Sequence, residues 1–461
     1  MTETSKDFKS VGLSQPILDN LKSLGYLEMT PIQAKGLPHI LSARDFIGQA
    51  NTGSGKTAAF ALGILCKLDL KNPMPQALVL VPTRELAEQV AKEIRRLARF
   101  TSNIKVLTLT GGSEERHKMK SLKQGAHIIV GTTGRIMKLL ETGMLTAADL
   151  KVLVLDEADR LLEMGTIEEI NRIASYTPAS RQTMLFSATF PNGIKTLSAS
   201  LQEDAAQVTI DSQHQTTTIK QVFIKIEDDK NAALLQVLSA YRPESCIIFC
   251  NSRESCNQVT GFLRTKKIES LVMHSDLEQK DRTLILIKFD NKSCPVLVAT
   301  DLASRGLDVK DVSAVINYDL PSDHELYIHR IGRTGRAGQE GLALSLYIHK
   351  ERAILKTIGD YLNTECSSID LKDIKKNKLA GVSHGGWATI YISGGRKDNI
   401  RPGDILGALT KDAGLTGNQV GKIHILEVNS YAAVAQDKMA QAIERLGVSK
   451  IKGKKFKVGK A

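Results

Sequence analysis

Short apolar runs alternate with amphipathic segments over most of this chain. Each run is three to six residues long and is followed by a stretch in which apolar residues recur at helical spacing. Buried parallel strands joined by helices have this pattern. The runs that we interpret as strands are residues 45–48, 77–81, 105–109, 127–130, 152–155 and 184–186, and then 221–226, 245–250, 270–273, 296–299, 314–318 and 341–346. The sequence therefore predicts two α/β domains in tandem, each built on a parallel sheet.

Two polar segments divide the chain. Residues 211–218 offer nothing apolar to bury, and residues 369–385 include a lysine-rich stretch. We interpret the first segment as a linker and the second as a basic linker. The expected domains are then residues 1–210, 219–368 and 386–461.

The last of these segments has its own order of elements. The pattern predicts strand, helix, strand, strand, helix and strand at residues 388–393, 402–409, 420–427, 431–434, 437–446 and 454–458. This β-α-β-β-α-β order is that of a ferredoxin-like sandwich, which would form a small third domain.

The charge of the chain is basic and unevenly spread. The 461 residues carry a net charge of +12, and residues 381–461 hold 13 Lys and Arg against 6 Asp and Glu, which is +7 of that total. This asymmetry favours nucleic acid as a partner, although a tail that merely keeps the protein in solution would show it as well. The N-terminus has no apolar signal segment, and no stretch is apolar enough to span a membrane. We therefore expect a cytoplasmic protein, monomeric and without a membrane partner.

A glycine-rich segment follows the first predicted strand. It consists of Ala50, Asn51, Thr52, Gly53, Ser54, Gly55, Lys56 and Thr57. In such a turn between a strand and a helix, backbone N–H groups face a polyphosphate and the lysine reaches its outer phosphates. The segment departs from the strict signature at Ala50, where glycine is usual, and an ordinary turn is the alternative interpretation.

A second strand end carries acidic residues suited to nucleotide hydrolysis. The apolar run 152–155 leads directly into Asp156 and Glu157. Asp156 and Thr57 are suited to hold Mg2+, and Glu157 is suited to orient an attacking water. Together with Lys56, these residues predict that the chain hydrolyses a nucleotide.

The second domain has no phosphate loop of its own, but it has an arginine-rich segment. Arg330, Arg333 and Arg336 recur at three-residue intervals and are separated by glycines. Guanidinium groups stabilise the charge that develops on a transferred phosphoryl group, so we interpret the segment as a sensor of the nucleotide. The alternative is a basic loop that binds RNA phosphates or pairs with acidic neighbours.

With these motifs located, the first 365 residues resemble the DEAD-box RNA helicases of superfamily 2. The most specific matches are the D-E-A-D tetrapeptide at residues 156–159 and the sequence H-R-I-G-R-T-G-R at residues 329–336. The resemblance implies two RecA-like domains that close over ATP and Mg2+ and an RNA-stimulated ATPase that unwinds short duplexes. It implies that Phe8, Tyr26, Thr30 and Gln33 bind adenine, Asp308 the ribose, and Lys56, Arg333 and Arg336 the phosphates. It further implies that Ser187 and Thr189 link hydrolysis to RNA, and that His329, a catalytic residue, lies near them at the domain interface.

The same resemblance implies contacts to the RNA backbone. They fall on Thr83, Arg84, Gly112 and Arg135 in the first domain, and on Gln279, Arg282, Thr300 and Arg305 in the second. Small residues, hydroxyls and arginines suit a cleft that reads phosphate and 2′-OH groups, which carry no base information. Thr133 departs from the family, which usually has proline there, and this puts the rigid backbone of that loop in doubt.

The C-terminal segment resembles the RNA-recognition domain of the DbpA subfamily of bacterial DEAD-box helicases, chiefly over residues 395–409. The resemblance implies docking on a hairpin of 23S rRNA near the peptidyl transferase centre, during assembly of the 50S subunit. The expected RNA contacts are Arg396, Lys397, Arg401, Tyr431, Lys452, Lys454 and Lys455. Because the sheet offers few aromatic residues, we expect phosphate contacts to outweigh base stacking, and a nonspecific basic clamp remains the alternative.

Other functions remain open from the sequence. A small-molecule kinase would share the phosphate loop but would have no use for the arginine-rich segment. A DEAD-box remodeller with generic RNA targets would need no selective anchor, and an ATP-independent RNA chaperone would need only the basic C-terminal domain. RNA-stimulated ATP hydrolysis separates the kinase from the others, and the activity of an ATPase-dead variant tests the chaperone.

Overall fold

The structure, a computed structural model, describes most of the chain. The described residues are 5–51, 53–101, 103–111, 115–210, 219–301, 312–321, 323–335, 340–362, 366–375 and 386–461, with the backbone alone at residues 115–117 and 325. By their contacts they fall into two units, residues 5–210 and residues 219–461. The predicted linker at 211–218 and residues 376–385 of the predicted basic linker lie outside the described residues.

The first unit is built on a seven-stranded sheet. Its strands are β1 (Phe46–Gln49), β2 (Ala77–Val81), β3 (Val106–Leu109), β4 (Ile128–Thr132), β5 (Val152–Asp156), β6 (Gln182–Ser187) and β7 (Ala206–Thr209). They lie in the order β3-β4-β2-β5-β6-β1-β7, and every pair is parallel. All six expected strands are present. The sequence pattern did not reveal β7, because this short edge strand alternates buried and exposed residues.

Helices cover both faces of this sheet. They are α1 (Gln15–Ser23), α2 (Pro31–Leu41), α3 (Lys56–Lys67), α4 (Arg84–Leu97), α5 (Glu115–Lys123), α6 (Thr133–Glu141), α7 (Ala158–Glu163), α8 (Ile167–Ser175) and α9 (Asn192–Leu201). Helix α3 is buried over most of its length, and the ring of Phe60 packs against that of Phe186 on β6, with centroids 5.4 Å apart. This packing fixes the start of α3, and with it the glycine-rich segment, against the sheet.

The second unit begins with another α/β domain. Its strands are β8 (Ile219–Lys225), β9 (Cys246–Cys250), β10 (Leu271–Met273), β11 (Val296–Thr300), β12 (Ala314–Asn317), β13 (Gly341–Tyr347) and β14 (Ser368–Asp370). They form a parallel sheet in the order β10-β11-β9-β12-β13-β8-β14. Its described helices are α10 (Lys230–Tyr241), α11 (Arg253–Thr265), α12 (Gln279–Asp290), α13 (His324–Ile331) and α14 (Arg352–Leu362).

The second domain extends further than the sequence indicated. Residues 369–375, which we expected in the basic linker, continue from the edge strand β14 into a single 3-10 turn. Ile374 is buried, and the side-chain amide of Gln236 donates to the backbone oxygens of Leu371 and Ile374 at 2.9 and 2.7 Å. Residues 371–375 are folded because Ile374 is buried and Gln236 binds their backbone, and one isoleucine is too sparse a signal to detect in the sequence.

The C-terminal domain is a four-stranded antiparallel sheet with two helices. The elements are β15 (Trp387–Ile392), α15 (Pro402–Gly407), β16 (Val420–Ile425), β17 (Ser430–Ala435), α16 (Met439–Val448) and β18 (Val458–Lys460). The sheet order β16-β17-β15-β18 confirms the predicted β-α-β-β-α-β sandwich.

The predicted bounds of the last strand are wrong. We expect this strand at residues 454–458, of which 455–458 alternate lysine with apolar residues, yet the strand comprises only Val458–Lys460 and pairs with Ile390 to Ile392. Lys452 and Gly453 have φ of 53° and 81°, and they close a tight turn in which Ile451 pairs with Lys454. The turn includes Lys454, and the chain continues without regular structure through residues 455–457 before the strand begins.

One face of the C-terminal sheet packs against the second α/β domain. Ile390 of β15 lies in the core under the helices, whereas its neighbour Thr389 faces the other way. Thr389 is nevertheless only 4% exposed. Asn291 Nδ2 donates to Thr389 Oγ1 at 3.1 Å, and Ser293 Oγ lies 2.8 Å from the same atom.

Charged groups extend this contact between the two domains. Lys422 Nζ lies 2.5 Å from Asp290 Oδ1, and His424 Nε2 lies 3.2 Å from Asp290 Oδ2 and 3.1 Å from Asn291 Oδ1. Burial alone would raise the pKa of Asp290, but the hydrogen bonds from His424 and Lys422 hold it below its usual value. The carboxylate is therefore kept ionised at the interface.

Candidate nucleotide and RNA sites

The glycine-rich segment forms a turn between β1 and the N-terminus of α3. Gly53 and Gly55 have φ of 86° and 96°, which strongly favour glycine, and Lys56 is the first residue of α3. Backbone N–H groups at a helix start attract anions, so the turn fits phosphate groups. Ala50 is buried and has no positive φ, and for this reason alanine is accepted where the signature has glycine. Thr52 lies outside the described residues.

Gln33 supports this turn from α2. Its side chain is fully buried, its Nε2 donates to the backbone oxygen of Gly55 at 3.1 Å, and its Oε1 accepts from the N–H of Thr30 at 2.9 Å. A side chain at Gly55 would meet Gln33 Nε2 at 2.5 Å. The predicted adenine-reading segment is therefore in direct contact with the phosphate turn.

The two aromatic residues of that segment are held by the first domain. Phe8 is buried in the core. Tyr26 donates its hydroxyl to Glu93 Oε1 at 2.5 Å, and the guanidinium of Arg96 lies 5.6 Å from its ring centroid. Burial raises the pKa of Tyr26, and the hydrogen bond to Glu93 raises it further. These contacts fix where the tyrosine ring lies, and its stacking on adenine stays a prediction.

Asp156 and Glu157 lie at the carboxyl end of β5. Asp156 is fully buried, and burial raises its pKa to about 7, while Lys56 opposes the shift and Glu157 adds to it. Glu157 has φ of 52°, an unusual conformation for a residue with a side chain, and its N–H donates to Asp156 Oδ1 at 3.1 Å. Such strained backbone is typical of functional sites. The Lys56 ammonium lies against the backbone oxygen of Ala50.

These residues fit a nucleotide with Mg2+. Mg2+ is usually held by one or two carboxylates together with substrate phosphates, and the site offers Asp156 and the hydroxyl of Thr57. Within the described part of the chain, no group of three or more His, Cys, Asp or Glu is gathered as a metal site of its own. The hydroxyl oxygens of Thr30 and Ser54 are buried without a hydrogen-bond partner among the described residues. Buried polar atoms of this kind are costly unless a ligand satisfies them.

A contact that the sequence did not reveal joins the acidic segment to residues 187–189, which we call the S-A-T segment. Asp159 Oδ2 accepts from the backbone N–H of Ala188 at 3.2 Å, from that of Thr189 at 3.1 Å and from the Thr189 hydroxyl at 3.3 Å. Ser187 Oγ accepts from the Asp159 N–H at 3.2 Å. Asp159 therefore provides the physical link between the strand ends that hold Glu157 and the predicted coupling residues.

The strand order separates nucleotide residues from predicted RNA residues. The phosphate turn, the acidic pair and the S-A-T segment follow β1, β5 and β6, which are neighbours in the sheet. The predicted RNA segments follow β2, β3 and β4, which form the other half of the same carboxyl edge. The coupling residues at the end of β6 lie within the nucleotide half, beside β5.

The predicted RNA residues of the first domain are ordered by local contacts. Thr83 Oγ1 accepts from the N–H of Leu86 at 3.2 Å and caps α4, and a side chain at Gly111 would meet Arg84 Nη2 at 2.9 Å. Arg135 Nη2 lies 3.6 Å from the sulfur of Met119. Thr133 is the first residue of α6, a position that accepts proline or threonine, so the helix begins there without the usual proline. Gly112 lies outside the described residues.

Arg330 organises the corresponding edge of the second α/β domain. It is 1% exposed, and its Nε and Nη2 each donate to a carboxylate oxygen of Asp301 at 2.6 Å. It also donates to the side-chain oxygens of Asn317 and Asn251 at 3.2 and 2.8 Å and to the backbone oxygen of Asp319 at 2.6 Å. These hydrogen bonds of the guanidinium fork join α13 to the ends of β9, β11 and β12. Arg330 is therefore a positioning residue, whereas the sequence alone predicts for it the same role as for Arg333 and Arg336.

The remaining predicted residues of this domain lie around that network. Gln279 begins α12, which also carries Arg282, and Thr300 ends β11 beside Asp301. His329 is in the last turn of α13, and Arg333 follows the helix and is buried. Arg305, Asp308 and Arg336 lie outside the described residues. Their roles, like those of the other residues in the two domains, stay predictions.

The C-terminal domain gathers its predicted RNA residues at one end. Arg396 and Lys397 lie in a 3-10 turn after β15, and Arg401 caps α15. The turn of residues 451–455 lies beside them, since Lys452 Nζ donates to the backbone oxygen of Asn399 at 2.7 Å. Lys454 Nζ likewise lies 3.4 Å from Asp398 Oδ1. We call Arg396, Lys397, Arg401, Lys452, Lys454 and Lys455 the basic loop surface; all six are exposed.

Tyr431 is not part of this surface. It lies within β17, is nine-tenths buried, and its ring contacts that of Tyr391 edge-on with centroids 5.7 Å apart. Burial raises the pKa of Tyr431, and the neighbouring Tyr391 raises it further. In this arrangement the ring of Tyr431 has little surface left on which a base would stack.

Comparison with known families and relatives agrees with the geometry. Family models described as DEAD/DEAH box helicase, helicase conserved C-terminal domain and DbpA RNA binding domain match residues 30–197, 229–338 and 389–460. The ATP-dependent RNA helicase DbpA of Escherichia coli is 45% identical over 96% of both chains. The protein of the same name from Bacillus subtilis is 36% identical over 98% of this chain and 99% of its own.

A solved structure of an RNA-bound protein is similar to this chain over most of its length. Saccharomyces cerevisiae Dbp5 bound to RNA and ADP BeF3 has a TM-score of 0.74 and 31% identity, covering 80% of this chain and 97% of that chain. In the described part of the chain, we find no helix with the length and apolar character needed to span a bilayer. The chain belongs to the DEAD-box ATP-dependent RNA helicases, as a member of the DbpA type with its RNA-binding domain.

Proposed function

We propose that this helicase hydrolyses ATP with Mg2+ to remodel short RNA duplexes while its C-terminal domain holds a hairpin of 23S rRNA, during assembly of the 50S subunit in the cytoplasm. The single observation that carries the proposal is the basic loop surface. It places six exposed cations at one end of a domain whose sheet packs against the second α/β domain at Thr389. A cluster of exposed cations suits the closely spaced phosphates of a folded hairpin better than it suits an isolated base.

The proposed hydrolysis uses residues of the first domain in distinct roles. Thr57 and Asp156 would hold Mg2+, which would neutralise charge on the phosphates. Lys56 binds the outer phosphates, and the Glu157 carboxylate orients the water that attacks the γ-phosphorus. Gln33, fixed by Gly55 and Thr30, presents both an amide donor and an acceptor, which is what recognition of adenine requires.

The second domain contributes the arginines of the 329–336 segment. Arg333 and Arg336 are proposed to stabilise charge that develops on the γ-phosphate, and Arg330 positions the segment through Asp301. Asp159 is proposed to transmit the state of the nucleotide to Thr189 and onward to the RNA-binding residues.

The test compares ATPase stimulation by a 23S rRNA fragment that contains the hairpin with stimulation by unrelated RNA of equal length. We expect selective stimulation of the unmodified chain. A variant with Lys452→Gln and Lys454→Gln should lose this selectivity and retain the response to unrelated RNA. A matched control with Lys411→Gln and Lys438→Gln, two other lysines of the same domain, should retain both. Equal stimulation of the unmodified chain by both RNAs would refute the selective anchor and leave a remodeller with generic targets.

The ATP-independent chaperone is tested separately. The Glu157→Gln variant keeps the basic loop surface but lacks the carboxylate that orients water. If it remodels RNA as well as the unmodified chain does, hydrolysis plays no part in the remodelling and the proposal fails. The expected result is RNA binding without turnover.

A further inference from the structure

A cleft of about 660 Å³ lies between the second α/β domain and the C-terminal sheet, beside their contact at Thr389 and within the second unit. One wall comes from the turns that precede β10 and β11 and from α12. The other wall comes from the first residues of β15 and the end of β18. The cleft belongs neither to the nucleotide site nor to the basic loop surface, which lies at the opposite end of β15.

The cleft carries an excess of positive charge. Arg264, Lys267, Lys288 and Lys460 line it, against one carboxylate from Glu269. Among the described residues, none of the four cations forms an ion pair of its own. Burial lowers the pKa of Lys288, and the charge of Lys460 lowers it further, although Glu269 opposes the shift. The like charges thus approach each other without full compensation, and a bound anion would relieve their repulsion.

The only tryptophan of the chain lies in the same cleft. Trp387 begins β15, and its ring lies over Gly421 of β16, where a side chain would meet Trp387 Cζ3 at 3.1 Å. Glycine at 421 therefore leaves room for the indole across the sheet. A flat aromatic ring beside a row of cations is the combination with which proteins bind single-stranded nucleic acid, because bases stack on the ring while cations contact phosphates.

We propose that this cleft binds a single-stranded segment of RNA. Arg264, Lys267, Lys288 and Lys460 contact its phosphates, and a base stacks on Trp387. The inference rests on RNA being the ligand of the chain, but not on which hairpin the basic loop surface selects. A strand in the cleft would contact both domains, so RNA binding would strengthen the contact that Asp290 and Thr389 make between them.

Trp387 provides a direct readout. The full-length protein is titrated with a single-stranded oligouridine of about ten nucleotides, within the usual size of such sites. Anisotropy of a label on the RNA reports binding anywhere on the protein, and tryptophan fluorescence reports the cleft. We expect the tryptophan signal to change and to saturate as oligouridine is added.

The outcomes are distinguishable. If anisotropy reports binding but tryptophan fluorescence stays constant, the cleft inference is overturned and the proposed function stands. If neither signal changes with oligouridine or with the 23S fragment, RNA binding by this chain fails, and the proposed function fails with the inference. A change caused by inorganic phosphate that RNA does not compete away would also overturn the inference, since it would identify a site for a free anion.

Charge removal supplies an independent test. Each phosphate contact to a single strand contributes about 0.7 to the slope of log affinity against log salt concentration. The Lys288→Gln, Lys460→Gln variant should reduce this slope by about 1.4, so that between roughly 50 and 200 mM salt it loses about 7-fold less affinity than the unmodified chain. A control with Lys266→Gln and Lys411→Gln removes two exposed lysines outside the cleft and should leave the slope nearly unchanged. Equal slopes for the two variants, with thermal unfolding unchanged in both, would refute the inference.

Discussion

Replacing Arg330 by methionine should destabilise the second α/β domain more than an ordinary surface substitution. The guanidinium makes five hydrogen bonds in the structure, two of them to Asp301, and it lies 5.1 Å from the ring centroid of Phe249. Methionine approximates the volume of the aliphatic part but leaves the largely buried Asp301 carboxylate without its cation. Breaking a buried pair by removing one partner costs about 3–5 kcal/mol.

This loss can be measured as a shift of the unfolding transition. For a domain of this size, each kcal/mol lowers the midpoint by about 2–4 °C, so we expect a decrease of about 6–20 °C in calorimetry. Hydrogen exchange should localise the effect to the ends of β9, β11 and β12, because the fork joins them. The nucleotide affinity of the first domain should change little.

A second variant separates the pair from general damage to the helix. Arg330→Met combined with Asp301→Asn removes the buried charge as well, and it should recover part of the stability lost in the single variant. The reasoning would be refuted if Arg330→Met cost less than about 1 kcal/mol, the size expected of an exposed ion pair. It would also fail if the double variant were as unstable as the sum of two independent losses.

Three other substitutions test the first domain. Gly55→Ala should abolish binding of a fluorescent ATP analogue while the protein stays folded, because the added methyl meets Gln33 at 2.5 Å and the positive φ disfavours alanine. Normal binding by this variant would contradict the support that Gln33 gives to the phosphate turn. Asp159→Asn should retain basal ATPase activity but lose stimulation by RNA, because a neutral amide is a weaker acceptor for the Thr189 N–H and hydroxyl; a proportional loss of both rates would contradict a coupling role. Burial lowers the pKa of Lys67 to about 8 from 10.5, so between these values the unfolded chain binds more protons and stability should rise with pH. The Lys67→Met variant should lose that rise in urea unfolding, and an unchanged pH dependence would contradict the shift.

The sequence was sufficient where a function is carried by a contiguous segment. The phosphate turn and the acidic pair were found because each follows a short apolar run, and the structure places both at the carboxyl edge of one sheet. The sequence pattern does not predict the two edge strands β7 and β14. Each is short, and its identity as a strand comes from pairing with β1 or β8, which are distant in sequence.

Roles that depend on distant partners were not recoverable. Asp159 belongs to a recognised tetrapeptide, yet its hydrogen bonds to residues 188 and 189, on which its proposed role rests, are visible only in the structure. Arg330 looks equivalent to Arg333 in sequence, but burial and the fork to Asp301 give it a different task. Arg330 lies within α13 whereas Arg333 follows the end of that helix, so identical side chains in one segment reach different surroundings.

The scarcity of aromatic residues on the C-terminal sheet has a structural explanation. Thr389 and Ala433 are paired across β15 and β17 on the face turned away from the helices, and both are buried. Small side chains at this register allow Asn291 and Ser293 of the second α/β domain to approach within hydrogen-bond distance, which a phenylalanine or tyrosine would prevent. At Thr389 and Ala433 this sheet face is therefore occupied by the contact with the neighbouring domain. We therefore expect phosphate recognition to fall to the loops at one end of β15 and to the cleft at the other, because cations line both.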